Sequence, residues 1–589
     1  MLGFYNRILV ADLEHRSFRI EEIPDEVLAQ GLGGKGLATY LLLHHAPAGV
    51  DPLAPENPLI FATGPVTDTR IHGSCRHGIF TKSPQTGFYS ESYSGGKTAE
   101  KMSRCGFDAF VLTGAAEEPV FLEIGQSGIR FHDAAPLWGR SAYDTEDALL
   151  RDYGGASKAG AVVIGPAGEN RVVFSIVAND RWRCAGRTGA GAVMGAKKVK
   201  GVVFRGEATR PLADPEGVQR FAAQVKREKQ DHPATHAYKN YGTPMMVALL
   251  NAVGGFPTRY WHQGRFAAWE KISAEAMQDQ CAVRPKACAR CFMACGKLTE
   301  ITSGRHQGLK IEGPEYETLY AFGGLCQIDS IQEIAYLNDL CDQLGIDTIT
   351  AGNLVALTME GVEQGVLPEG PRYGDVDGAA RLIEDIAHVR GLGEDLAGGI
   401  IPAARRWGLE DTAIHVKGLE PAGYDPRVLK GMGLAYATSD RGACHLRATF
   451  YKPELSGQIA PDTVEGKAKL FIDYEDRLTL FDTFVLCRFY RDFYQWPELG
   501  EIVRLTTGLD RDQARLAEIA RHVSDQVRRF NLREGLTRDD DWLPDRFFDE
   551  PLPETGAILH RDELERMRRE YYDLRGWDEQ GVPSPHPKG

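Results

Sequence analysis

Three cysteines crowd into one short stretch of this chain, Cys288-Ala-Arg-Cys291-Phe-Met-Ala-Cys295. Thiolates at a C-x2-C-x3-C spacing converge on one small object. An iron–sulfur cluster and a tetrahedral zinc ion each want four such ligands, so both fit the spacing, as do three inert buried cysteines. The spacing does not choose the fourth ligand: Cys281, Cys326, Cys341, Cys444, Cys487 and His306 all qualify. The cysteine total is odd, most of the others lie far apart, and the N-terminus MLGFYNRILVADLEHRSFRI has no export signal. A metal site explains the crowding better than a disulfide framework.

Three loops combine Gly with a cation: Gly33-Gly-Lys-Gly36, Ser94-Gly-Gly-Lys97 and Gly186-Arg-Thr-Gly-Ala-Gly191. Glycine lets backbone N–H groups face an anion, and Arg adds a bidentate grip on phosphate. None follows the Walker A or the G-x-G-x-x-G pattern. Together they point to a phosphate-bearing cofactor. Asp342-Gln-Leu-Gly-Ile-Asp347 reads by itself as a helix ending at Gly345. Glu315, Glu317 and His445 are acid–base residues that mean little unless a site gathers them.

The elements that must position these groups fall into two kinds. Up to about residue 210, short apolar runs such as Leu59-Ile-Phe-Ala, Ala109-Phe-Val-Leu and Gly201-Val-Val-Phe alternate with turn residues and predict strands. After Pro211, helical periodicity takes over, as in Asp214 to Asp231 and Ser330 to Gln343. The fold class expected is α+β: a β-rich base domain over 1–210, a helical domain over 211–415 and a second over 416–589. The second helical domain ends in a tail, Pro551 to Gly589, with one helix, Arg561 to Asp573. A net charge of −14 without a Lys/Arg-rich run disfavours nucleic acid and anionic membrane as partners. No apolar run is long enough for a membrane span, and a cytoplasmic enzyme is expected.

The order of these fragments resembles the aldehyde:ferredoxin oxidoreductase family of tungsten or molybdenum bis-pterin enzymes, which has the active-site subunit of class II benzoyl-CoA reductase as a related branch. The resemblance runs through Thr81-Lys-Ser-Pro-Gln-Thr-Gly, Gly165-Pro-Ala-Gly-Glu-Asn170, Ala185-Gly-Arg-Thr-Gly-Ala-Gly, the cysteine motif and Gly313-Pro-Glu-Tyr-Glu-Thr. It continues in Gly423-Tyr-Asp-Pro-Arg427, Arg441-Gly-Ala-Cys-His445, Phe530-Asn-Leu-Arg-Glu-Gly and Tyr571-Tyr-Asp-Leu-Arg-Gly-Trp577.

The resemblance implies a 4Fe–4S cluster on Cys288, Cys291, Cys295 and Cys487, the last through Asp482-Thr-Phe-Val-Leu-Cys487. It implies pterin contacts at Asp342, Ile346, Asp347 and Asp482, and Arg76 between cluster and pterin. Arg183, Gly186, Arg187 and Arg441 fall in the loops expected to hold the pterin phosphates. Mg2+ would bridge those phosphates, near the carbonyls of Tyr93 and Cys184. Where the family has N-S-G-G, this chain has Tyr93-Ser-Gly95-Gly96, which keeps any main-chain contact. Glu317, in preference to Glu315, and His445 fit the family's catalytic acid–base pair. The implied reaction is oxidation of an aldehyde, with electrons leaving to ferredoxin or an iron–sulfur partner subunit. The alternative is low-potential reduction of an aromatic acyl-CoA. Some members bind iron at a dimer interface through E-x-x-H. Here that helix reads Glu333-Ile-Ala-Tyr336, so the motif is absent and the oligomer stays open.

Overall fold

A computed structural model of the chain describes residues 1–584; the end of the tail expected up to Gly589 lies outside the described residues. Two six-stranded mixed sheets build the N-terminal part. The first runs Ser17–Glu22, Arg7–Asp12, Ala109–Thr113, Leu59–Ala62, His77–Lys82, Tyr89–Ser94. The second runs Arg183–Ala185, Val177–Asn179, Gly160–Val163, Val199–Phe204, Val120–Gly125, Gly128–Asp133. Leu59–Ala62, Gly160–Val163 and Val199–Phe204 are buried along their whole length, which is why they read as unbroken apolar runs.

One edge strand from each sheet, Tyr89–Ser94 and Arg183–Ala185, comes to the same place. Ser94 Oγ donates to Asn179 Oδ1 at 2.5 Å and Asn179 Nδ2 donates to the Gly95 carbonyl at 2.9 Å. Ser90 and Thr188 hydroxyls lie 2.6 Å apart. The loops carrying Gly95 and Gly186 are therefore neighbours, although 91 residues separate them in the chain.

Helices dominate the rest. Ser330 caps Ile331–Leu344 by accepting the Glu333 N–H, and Gly345, at φ +81, stops that helix. Two residues on, Asp347 caps Thr348–Glu363 by accepting from the Ile349 and Thr350 N–H groups. The stretch 211–415 is mainly helical but also holds a small sheet. Its three antiparallel strands are Cys281–Lys286, Gly296–Ile301 and Lys310–Glu312. These strands are short and rich in Lys, Arg, Thr and Glu, so no apolar run announces them. The loop between the first two holds the three crowded cysteines. Among the described residues, no helix is long and apolar enough to cross a membrane.

The first glycine-rich loop does structural work. Gly34 sits at φ +45, where an added Cβ would lie 2.3 Å from the Asp482 carbonyl oxygen and 2.8 Å from that of Thr483. It thus packs against the end of Lys467–Phe484, the helix that leads into Cys487. Gly34→Ala is expected to destabilise by about 3 kcal/mol, an overpacking cost at a strained φ. Gly49, also at positive φ but with nothing within 4 Å, should lose only about 1 kcal/mol on changing to Ala. Urea midpoints of the two variants check this ordering.

Candidate active site

Cys288, Cys291, Cys295 and Cys487 form one group: Cys291 and Cys295 both feel the charge of Cys487 and of Cys288. The other candidates for a fourth ligand go elsewhere. Cys326 donates to the carbonyls of Ala321 and Gly352, Cys281 and Cys341 belong to the helical core, and Cys444 accepts from Arg441. His306 pairs with Glu333 at 2.9 Å and stacks on Tyr336. Four gathered thiols are the ligand set that an iron–sulfur cluster needs.

The surroundings of the thiols are built to meet charge on sulfur. The Gly96 N–H donates to Cys288 Sγ at 3.3 Å, the Tyr490 hydroxyl lies 3.2 Å from Cys291 Sγ, and Arg76 Nη1 stands 3.9 Å from Cys487 Sγ. A Cβ on Gly95 would approach Cys288 Sγ to 3.1 Å, so glycine is what fits there without displacement. Arg76 also donates to the Tyr93 carbonyl at 2.8 Å and so ties the thiols to the edge strand. Arg183 pairs with Glu312 and faces Cys288 and Cys295, placing it on the cysteine side of the site. A fifth thiol, Cys75, was not singled out by sequence; it is buried and hydrogen-bonded to Cys288. Its position beside Arg76 was the available signal.

A second group of buried polar side chains gathers around Arg187. Cys184 is exposed by accessible area although protein surrounds its thiol, with Asp342 and Asp347 both near enough to raise its pKa after burial itself. Arg187 enters from the third glycine-rich loop. Its Nη2 donates to the Glu420 carbonyl at 2.7 Å and its Nε stands 3.4 Å from Asp347, yet buried Nε and Nη1 have no hydrogen-bond partner. At Gly186, an added Cβ would lie 3.9 Å from both Asp347 Oδ1 and Cys184 Sγ. Asp342 accepts from Asn338 at 2.9 Å; burial and then Asp339 push its carboxyl well above the usual range. Ile346 is buried and bridges to Ser175, which holds the Asp342–Asp347 turn against the β-rich base. Arg441 donates to Cys444 Sγ at 2.9 Å and to the Glu91 carbonyl. Asp482 is already engaged by Arg447 and, at 2.6 Å, by Arg488. Lys35, from the first glycine-rich loop, is likewise engaged by Asp440 at 2.7 Å and Glu91 at 3.3 Å.

Glu317 and His445 face each other in this interior, with Glu317 Oε1 3.4 Å from His445 Nε2. The two side chains keep only 17% and 12% of their accessible surface. Glu317 Oε2 accepts the Gly423 N–H at 3.0 Å, whereas Oε1 and His445 Nδ1 have no hydrogen-bond partner. Burial pushes the Glu317 carboxyl up to about 7, against the Gly423 hydrogen bond and Arg187, which lower it. Burial and the guanidiniums of Arg187, Arg441, Arg488 and Arg491 hold His445 well below its ordinary range, so it is neutral. Glu315 turns away to Thr243. Directly after Glu317, the backbone runs as a π-helix over Leu319–Leu325, a widened turn that often accompanies functional sites. Arg488 and Arg491 were invisible to sequence reasoning; their only mark was their place just after Cys487.

This chain belongs to the aldehyde ferredoxin oxidoreductase family. Residues 8–206 match the family's N-terminal domain, and residues 220–587 match its domains 2 and 3. It is 36% identical to the tungsten-containing aldehyde ferredoxin oxidoreductase of Pyrococcus furiosus, over 99% of this chain and 97% of that one. The enzyme of the same description from Thermococcus kodakarensis is also 36% identical with the same coverage. The WOR-like subunit of an aliphatic sulfonate oxidoreductase from Pyrococcus furiosus is 26% identical over 99% of this chain and 96% of that one. Among solved structures, the active site complex BamBC of benzoyl coenzyme A reductase with 1,5 dienoyl-CoA superposes with a TM-score of 0.86. It covers 99% of this chain and 96% of that one at 22% identity, a likeness of fold.

Proposed function

We propose that this chain oxidises aldehydes to carboxylic acids at a tungsten bis-pterin and passes the electrons through a 4Fe–4S cluster to a ferredoxin or iron–sulfur partner. The observation that carries this reading is the Glu317–His445 pair, each with a buried unpartnered polar atom, in a chain that also gathers Cys288, Cys291, Cys295 and Cys487. The donors around the pair fit the cofactor. Arg187 has two buried unpartnered nitrogens for a phosphate, and Arg441 is a second guanidinium without a carboxylate in contact among the described residues. Asp342 and Asp347 suit pterin ring N–H groups, and the carbonyls near Tyr93 and Cys184 suit Mg2+. Molybdenum would fit the same donors; the tungsten-containing relatives favour tungsten.

The reaction balances as RCHO + H2O → RCOOH + 2 H+ + 2 e−. When bound, the metal bis-pterin supplies a Lewis acid and a two-electron sink. Glu317 Oε1 takes the proton of the attacking water or of the hydrated aldehyde. Neutral His445 orients the aldehyde oxygen through its ring N–H, which a protonated ring would do only by adding charge to a site already crowded with guanidiniums. Cys288 and Cys291 line a surface groove of about 800 Å3 together with exposed Arg70, Lys226 and Arg290. On a chain of net charge −14, this basic rim suits an acidic electron carrier.

An anaerobic assay of metal-replete protein with an aldehyde and a viologen dye tests the reading; no dye reduction would overturn it. Because Glu317 works as a carboxylate and its pKa stands at about 7, kcat/KM should climb as pH rises toward 7 and level off above. His445 protonates far below that range, so it should add no second step between about pH 6 and 8. A pH–rate profile with no limb near 7 would count against Glu317 as the base.

A further inference from the structure

Four guanidiniums surround the Glu317–His445 pair, and three have partners or assigned work. Arg187 pairs with Asp347 and Glu420, and Arg488 with Asp482. Arg441 is anchored to Cys444 and Glu91 and matches a pterin-phosphate loop. Arg491 is different. It is only 4% exposed; like Arg441 it has no carboxylate within ion-pair distance among the described residues, but it also lacks the thiol contact and the loop motif that Arg441 has. Its Nη1 donates to the Arg488 carbonyl at 3.0 Å, while its buried Nε has no partner. A buried charge without a counter-charge is strongly unfavourable, and an anion in contact with it relieves that cost.

The direction in which Arg491 looks identifies that anion. Arg76 and Arg183 face the cysteine thiols, whereas the neighbours of Arg491 are the hydroxyls of Tyr238, Tyr424 and Tyr451, and Tyr238 is hydrogen-bonded to it. Tyr451 stacks on Tyr424 at 4.1 Å, and Tyr424 stacks on His445 at 5.7 Å. These rings form a wall leading from His445 to Tyr238 and Tyr451, which are partly exposed. Lys452, the other cation beside Tyr451, is already paired with Asp492.

We propose that Arg491, with the hydroxyls of Tyr238 and Tyr451, is a substrate subsite that receives a carboxylate carried on the aldehyde, a few bonds away from the reacting carbon. The aldehyde carbon then lies at Glu317 and His445, and the remote carboxylate supplies the counter-charge that the fold withholds from Arg491. This inference rests on the aldehyde reading above and specifies its substrate class.

The test compares matched aldehydes on the holoenzyme, 4-oxobutanoate against butanal and 4-carboxybenzaldehyde against benzaldehyde. Wild type should favour the carboxylated member of a pair. Arg491→Gln should lower kcat/KM for that member by about 30-fold or more, through KM, because a buried charge loses its partner. The ratio of kcat/KM for the charged over the neutral member should therefore fall by about tenfold or more, whatever both members lose through the altered field at His445, and Arg491→Lys should restore part of that ratio. Succinate, titrated calorimetrically into holoenzyme, should bind wild type and lose that binding in Arg491→Gln. Equal effects on charged and neutral aldehydes would overturn the inference, as would loss of tungsten or iron in Arg491→Gln, which would place the guanidinium in cofactor binding. Failure of wild type to oxidise any of the four aldehydes would instead count against the aldehyde reading itself.

Discussion

Glu317→Gln should lower kcat/KM for aldehyde oxidation by about 10²–10⁴-fold, the usual worth of a positioned general base, while tungsten and iron contents stay at wild-type levels. Gln keeps an acceptor for the Gly423 N–H at the position of Oε2, so the loop should not move. It cannot take a proton, and the acid limb near pH 7 should vanish from whatever activity remains. Stability should behave in the opposite sense. The Glu317 pKa is raised from 4.5 to about 7 by folding, so the native state holds a proton that the unfolded chain releases between those values. The stability this contributes is complete below pH 4.5 and lost as pH rises through 7. The neutral amide has no such dependence. Urea midpoints at pH 5 and pH 8 should therefore show Glu317→Gln gaining on wild type as pH rises. A variant that lost activity and stability together at pH 8 would mark Glu317 as a structural residue.

Cys487→Ser should remove most of the iron and the brown absorbance, and with them about 100-fold or more of viologen-linked turnover. Even outer-shell changes at metal sites cost 10–100-fold, and this change removes a ligand. The contrast that makes the result informative is Cys326→Ala. Cys326 is as buried as any thiol in the chain, but its Sγ donates to the Ala321 and Gly352 carbonyls, inside the helical core. That variant should keep full iron content whatever it does to stability. Iron retained in Cys487→Ser and lost in Cys326→Ala would overturn the assignment of the fourth ligand. Iron analysis and the visible spectrum of anaerobically purified protein decide it.

Sequence by itself determined whatever depends on neighbours along the chain. Leu59–Ala62 and Val199–Phe204 show as strands because burial on both faces demands unbroken apolar residues. Ser330 and Gly345 mark the ends of Ile331–Leu344 because capping is a contact between residues a few positions apart. The C-x2-C-x3-C loop was visible for the same reason. Tertiary structure alone decided what depends on residues distant in sequence. The strands Cys281–Lys286 and Gly296–Ile301 mix apolar and polar residues on both faces, with Lys297 and Thr299 buried, and are defined by pairing with each other, so periodicity missed them. Spacing could not place Cys75 against Cys288, set Arg183 beside Glu312, or turn Glu317 toward His445 and Glu315 toward Thr243. Above all, no pattern along the chain shows that Arg491 is buried without an acid, because charge compensation is a property of a volume and not of a segment.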